Sequence, residues 1–436
     1  MLGLVVMIAL TSLVSASSAD GSVGQVAAPY TPSLHWTGTT QQVRQLVQCG
    51  ATIYAVGSFT AIDHGGTTYT RHRAFSFSAT TGAVGAWDPN VNGTVNSIAV
   101  SADCSIAYLG GSFSAVGSSV AHDIVAVHTA TGAILSTFRH SANGKVETLL
   151  LTGGHLLVGG YFTSVNGGTQ KYLASLDPTT GADDGYLRVP ISGTYVYTDQ
   201  GGLASQGGAT EVYNLALSPD GSRVLGMGTF TSVAGVRRQQ IFMLDLGATA
   251  TLDAWYSDEF NAYCSTSQAF YVRAAAWSPD GGTVYVATTG EKPASGPGYL
   301  TTDPRAGLCA AVAAFSSLSL SILAHAWINY DGCDSYYSVI ADSSAVYVGG
   351  HERWANNPNG CNVAGPGAVS RPGIGAISPV NGLVTSWNPT RARGLGADDL
   401  LMSTSPAGLW IASDNRNNTA NACAGARHPG ICLLPG

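Results

Sequence analysis

The chain has 436 residues, of which 10% are charged and 45% hydrophobic, with 55 glycines and a formal net charge of −7. Abundant Val, Ile, Leu and aromatics exclude a disordered chain, and the lack of a basic excess argues against nucleic acid as a partner. Rich Gly, Ser, Thr and Val content fits an all-β chain of short strands joined by tight turns.

The chain opens on "MLGLVVMIALTSLVSASSAD". Its apolar run from Leu2 to Leu10 is too short to span a bilayer, and small residues follow it. Residues 1–19 therefore read as a secretory signal peptide, cleaved after Ala16 or Ala19, although no Lys or Arg precedes the run. Residues 20–32 read as a linker. No other stretch looks membrane-spanning, so no span is expected once the signal is removed.

From there the chain repeats itself. Strand-like runs open at Val43, Val95, Val146, Val212 and Val272, then at Tyr336 ("YYSVIAD") and Ala397 ("ADDLLMS"). After most of them come a turn such as "PDGS", a second strand ending in Gly-Gly, a loop, and a third strand ending at Thr-Gly or Asn-Gly, a hairpin turn. A fourth strand closes the unit around Trp87, Phe138, Leu187, Trp255, Trp327 or Trp387. Four strands at a period of roughly 50–70 residues describe a β-propeller blade. The missing fourth strand is assigned to "SLHWTGTT" (Ser33–Thr40), because the chain ends on a third strand. The expectation is one all-β, seven-bladed β-propeller over 33–436, its last blade closed by the N-terminal strand.

The carrying motif is "GSFTAIDHGG" at Gly57–Gly66, "GGSFSAVG" at Gly110–Gly117, "GGYFTSVNG" at Gly159–Gly167 and "GTFTSVAG" at Gly228–Gly235. It resembles the delta-60 repeat of secreted bacterial β-propeller proteins, related to repeats in fungal cortical polarity markers. The resemblance is good from Val43 to Leu246 and looser beyond. It implies the fold and export, and no catalytic residues. Physically, the glycines suit close backbone approach, and Phe59, Phe113, Phe162 and Phe230 are expected to pack between blades.

Loops between second and third strands share a face with the links between blades. The other hairpin turns are short ("SPDGS", "TATGA", "PVNGL"), and nearly every long insertion falls on the first face. Eight cysteines in an exported chain suggest disulfides, with roughly a hundred pairings open on spacing alone. The repeat register narrows them to Cys264–Cys309, Cys333–Cys361 and Cys423–Cys432 on the loop face, and Cys49–Cys104 on the other. Such bonds reduce the entropy that long loops lose on meeting a ligand, or simply protect them from proteases.

In the sixth repeat the bland motif gives way to "GGHERWANN". His351, Glu352, Arg353 and Trp354, with Glu291 and Lys292 before them and Asp414, Asn415 and Arg416 after, form the candidate binding set. A flat indole, a guanidinium and a carboxylate suit a sugar or peptide. The competing assignment gives Trp354 the lost phenylalanine's packing role. H-E-x-x-H fails at Ala355, and no G-x-S-x-G, Walker or EF-hand motif occurs, so no metal or cofactor is implied. The second residues of the first strands, Arg44, Asn96, Glu147, Tyr213, Arg273, Tyr337 and Asp398, form an axial ring if they share a register. The leading expectation is a secreted, monomeric, non-catalytic recognition or scaffold protein binding a glycan or protein through the loops of blades five to seven. The alternative is an extracellular lyase or glycoside hydrolase at the axial mouth, with Glu352, Glu291, Glu147 or Asp398 as acid/base candidates.

Overall fold

A computed structural model describes residues 22–196, 208–262, 264, 268–291, 307–416 and 423–436. Among them there is no α-helix, and none long and apolar enough to cross a membrane. The strands form an all-β, β-propeller-type fold. Antiparallel sheets begin with Val43–Cys49, Thr94–Val100, Val146–Thr152, Val212–Leu217, Val272–Trp277, Tyr336–Ala341 and Ala397–Thr404. In each, the second strand lies between the first and third. Each first strand contacts the next in order, and Ala397–Thr404 contacts Val43–Cys49.

The core is divided among the junctions. Each apolar cluster joins two consecutive sheets, as Tyr54 and Trp87 of the first join Leu109 and Val125 of the second. One cluster joins Trp410 and Leu433 of the last sheet to Phe75 and Phe77 of the first. The expected bulky residues carry this packing: Trp87, Phe138, Leu187, Trp255, Trp327 and Trp387 are all buried. Four of the indoles also reach the neighbouring sheet, with Trp87 Nε1 donating to His128 O at 3.2 Å and Trp255 Nε1 to Ser316 O at 2.8 Å. Trp327 Nε1 donates to Pro379 O at 2.9 Å and Trp387 Nε1 to Val23 O at 2.8 Å.

Regular fourth strands occur in the fourth and fifth sheets, as Ala250–Leu252 and Trp327–Tyr330. In the first, second, third and sixth sheets the fourth segment is reduced to one bridge, such as Phe77 with Val84 or Ile377 with Val384. Those segments turn away after one residue pair, so burial of the bulky side chain holds them more than the ladder does.

The N-terminal assignment needs correcting by about one turn of sequence. Gly24 N and Ala28 N donate to Pro435 O and Leu433 O, at 2.6 and 2.9 Å. Residues 22–32, expected as a linker, thus line the outer edge of the last sheet, with Val23, Ala27 and Ala28 buried. Tyr30 does the work of the tryptophans, its hydroxyl donating to Ala79 O at 3.2 Å. Ser33–Leu34, expected in that strand, instead pairs with Ala61–His64, and Trp36 is 43% exposed. The match of "SLHW" to the Trp-bearing segments misled because Tyr30 lies in a stretch without Trp.

The motif glycine has a steric cause. A Cβ on Gly57, Gly111 or Gly228 would meet the carbonyl oxygen of Gln42, Thr94 or Glu211 at 2.0, 2.1 and 2.0 Å. The end of the second strand presses on the residue before the first strand, leaving no room for a side chain.

Candidate functional site

Two groups of polar residues sit at the loop-bearing end of the sheets. The first is axial. Every first strand carries a register shift near its start, between the first and third residues in six of them and between Val95 and Ser97 in Thr94–Val100. A bulge of this kind leaves its extra residue out of the ladder and re-aims it. The seven second residues expected as a ring all line one cavity of about 330 Å³, together with Gln45, Lys145, Glu211 and Asp399. Its lining comes from the openings of the first strands and the residues just before them, so it lies at the end that carries the interblade links and long loops.

One arc of this ring satisfies itself. Asn96 Nδ2 donates to Glu147 Oε2 at 2.7 Å, and Lys145 pairs with Glu147 and, at 3.5 Å, with Glu211. Tyr213 donates its hydroxyl to Val272 O, and burial pushes its pKa up. The other arc holds Arg273, Tyr337, Asp398 and Arg44, on consecutive sheets. The Arg273 guanidinium lies 5.7 Å from the ring centroids of both Tyr213 and Tyr337. Burial raises the carboxyl pKa of Asp398 to about 6, against the pull of Arg273 and Arg44. Burial likewise raises Asp399 to about 6, although its Oδ2 accepts from Leu46 N at 2.9 Å. Sequence reasoning missed Lys145, Glu211 and Asp399, which flank the ring position; for the first two, the charged residue just before the Val-led runs at Val146 and Val212 was the available signal.

The second group is the broken motif, whose register the structure fixes. Tyr336 pairs with Gly350 as Val43 pairs with Gly57. Counting from these glycines puts Glu352, not Trp354, where the other repeats have Phe59, Phe113, Phe162 and Phe230. Those phenylalanines are 0–6% exposed, and Glu352 is 0% exposed. Among the described residues neither Glu352 carboxylate oxygen has a hydrogen-bond partner, nor do the Tyr336 hydroxyl and His351 Nδ1. Desolvation pushes the Glu352 pKa well above the usual carboxylate value, which favours the neutral acid in a phenylalanine's place. Trp354 is only half-buried, in a short hairpin with Val369–Ser370, which overturns its assignment as the phenylalanine's substitute.

Arg353 is engaged from both sides. Its Nε and Nη2 donate to Asp334 at 2.8 and 2.7 Å, and its guanidinium stands 4.4 Å over the Trp354 ring. Hydrogen bonding to Asp334 raises its pKa further. Arg393 donates to the same carboxylate at 3.1 Å and to His351 O at 2.7 Å. Burial and the Arg393 charge lower the His351 pKa. Asp334 and Arg393 lie in the links leading to the sixth and seventh sheets, where a single charged residue carries no sequence signal.

The remaining candidates are scattered between interior and surface. Glu291 places a carboxylate oxygen 3.6 Å from Cys361 Sγ, so the loops of the fifth and sixth sheets meet. Asp414 and Asn415 are buried and occupied. Asp414 Oδ2 accepts from Leu395 N at 2.7 Å and Asn415 Oδ1 from Gln41 N at 2.8 Å. Arg416 is exposed, and Lys292 lies outside the described residues. All four disulfides pair as expected, Cys49–Cys104, Cys264–Cys309, Cys333–Cys361 and Cys423–Cys432. They leave no free cysteine and point to an oxidising, extracellular environment.

Solved structures share this architecture at low identity. The structure of U3-55K is 12% identical with a TM-score of 0.52, covering 94% of this chain and 100% of that one. The RRP9 WD40 repeats are 12% identical with a TM-score of 0.48, covering 94% of this chain and 99% of theirs. The WD40 β-propeller domain of Doa1 is 11% identical with a TM-score of 0.43, covering 92% and 96%. The first likeness shows a β-propeller fold. No protein family and no curated protein matches the chain.

Proposed function

We propose that this is a secreted, monomeric recognition protein: a ring of seven blades, closed by residues 24–28, whose loop-bearing face binds a partner protein. The observation that carries this reading is one-sided construction. The Cys264–Cys309, Cys333–Cys361 and Cys423–Cys432 bonds, the long loops and the axial cavity all belong to one end of the sheets. Among the described residues the opposite end carries mostly short turns, among them those at Asp220 and Asp280, braced by their own aspartates; its exceptions are the ten-residue link 317–326 and the Cys49–Cys104 bond. Long loops on one rim of a rigid scaffold are where recognition commonly resides. The repeat's resemblance to secreted delta-60 proteins supports export.

A carbohydrate-active enzyme at the axial mouth is the weaker reading. Glycoside hydrolysis uses two carboxyl groups. Glu147 and Glu211 are held by Lys145, Asp399 by Leu46 N, Glu352 is sealed in the core and Glu291 does not line the cavity, which leaves Asp398 as the one unengaged carboxyl among its described lining residues. Cross-linking mass spectrometry on the native extracellular protein tests the proposal. Cross-links to other proteins should concentrate in 256–262, 351–370 and 413–430. Cross-links confined to the short-turn end would sink it, and retention on a glycan array without protein cross-links would shift the ligand class to carbohydrate.

A further inference from the structure

The axial ring splits into two halves of different chemistry. On the half formed by the second, third and fourth sheets, Asn96, Glu147 and Tyr213 have their partners in the protein. On the half formed by the fifth, sixth, seventh and first sheets, Arg273, Tyr337, Asp398 and Arg44 line the same cavity with no side-chain hydrogen bond to any described residue. Two guanidinium groups bring five N–H donors each in a planar fork, and a carboxylate is the acceptor that matches such forks. Arg273 is held in place between two tyrosine rings, so little freedom is lost when its donors are engaged.

We infer that the axial cavity binds a small hydroxylated carboxylate, a sugar acid in size and chemistry, with its carboxylate between Arg44 and Arg273 and its hydroxyls toward the Asn96 half. The cavity of about 330 Å³ sits at the lower end of small-molecule sites, and its lining is almost wholly polar. This goes beyond the loop-face reading and does not depend on it: the cavity could hold its ligand whether or not the rim binds a protein.

Binding should strengthen in mild acid. Asp398 is the one carboxylate in the free arc, and the charges acting on it are Arg273, Arg44, Asp414 and Arg391, with Asp399 adjacent and influenced by it in turn. With its pKa near 6, Asp398 loses its negative charge as pH falls from 7.5 to 5.5. The two arginines are then left for the ligand, while a sugar acid stays ionised. Calorimetric titration of the whole chain with glucuronate, glucose and glucosamine separates the possibilities, because the three differ mainly in charge. Glucuronate should bind at pH 5.5 and about tenfold more weakly at pH 7.5, with no binding of the other two. Arg44→Ala and Arg273→Ala should each weaken it by about tenfold or more, and Asp398→Asn should narrow the difference between the two pH values, Asp399 keeping the remainder. Melting curves show that the variants fold; Arg44, exposed and unbonded, is the safer of the two. Glucosamine binding as well as glucuronate, no binding of any of the three, or unchanged affinity in both arginine variants would overturn the inference.

Discussion

Sheets one to four and sheets five to seven solve the same packing problem differently. In the first four, a phenylalanine two residues past the strand-ending motif glycine is driven into the junction, as Phe59, Phe113, Phe162 and Phe230. In the last three, that position holds Gly290, Glu352 and Asn415, and each of those loops carries a disulfide. At Gly290 the reason is visible: an added Cβ would meet Cys264 Sγ at 3.3 Å and Phe270 within 3.5 Å, so those groups fill the space. At Asn415, hydrogen bonds to Gln41 N and His35 O replace apolar contact. A phenylalanine plug fixes the loop that carries it close to the core. A covalent tie holds the loop's ends and lets the length between them grow, which is what a recognition surface needs.

This contrast can be broken by experiment. Removing a plug should have the largest effect: Phe162→Ala should cost about 3–5 kcal/mol, read from chemical denaturation. A loss under about 1 kcal/mol would mean that the phenylalanines are not the ties proposed here. Removing the corresponding covalent tie, Cys264→Ala with Cys309→Ala, should cost about 2–4 kcal/mol, with proteolysis beginning in that loop.

The ion network under the sixth loop ranks next. Asp334→Asn weakens the hold on Arg353 and Arg393 together and should cost about 2 kcal/mol, whereas Arg353→Ala leaves Arg393 in place and should cost less. Equal losses would show that Arg393 contributes nothing. Trp354→Ala, in a half-buried hairpin, should cost only about 1 kcal/mol. A core-sized loss there would return Trp354 to the phenylalanine's role.

The axial carboxyls set a pH dependence of definite sign. Burial raises both Asp398 and Asp399 to about 6 from ordinary values near 4. Their contribution to stability is therefore fully present below the ordinary value and is lost as pH rises through about 6. Tm should be higher at pH 5 than at pH 7.5, and Asp398→Asn should flatten that slope. An Asp398→Asn slope as steep as wild type would contradict it.

Much of this was legible in the sequence because it repeats. The repeated opening runs, five of them Val-led, located every first strand, and the register inherited from them placed the seven ring residues and all four disulfides. What failed shares a cause. The last fourth strand has Tyr30 where the other repeats show Trp, Phe or Leu, so similarity pointed to Trp36 a few residues on. In "GGHERWANN" the eye follows the aromatic, but strand register counts positions, and the counted position holds a glutamate. A carboxylate in a core slot runs against every compositional rule, so only the geometry could reveal it. Asp334, which binds Arg353, and Arg393, which shares that carboxylate, lie in links with no repeating pattern.

The central claim is that the broken motif is an exchange within the core, with Glu352 as a neutral acid in a phenylalanine's slot. Glu352→Met keeps the length of the side chain and removes both unpartnered oxygens, and burying an apolar group there costs less than burying an unpaired polar one. The decisive measurement is the Tm of Glu352→Met against wild type across pH. The variant should melt higher at pH 7.5, with the gap narrowing toward pH 4.5, where the carboxyl of the unfolded chain is about half protonated. A variant that melts lower than wild type at every pH would show that the carboxylate has a partner and that the exchange is not what broke the repeat.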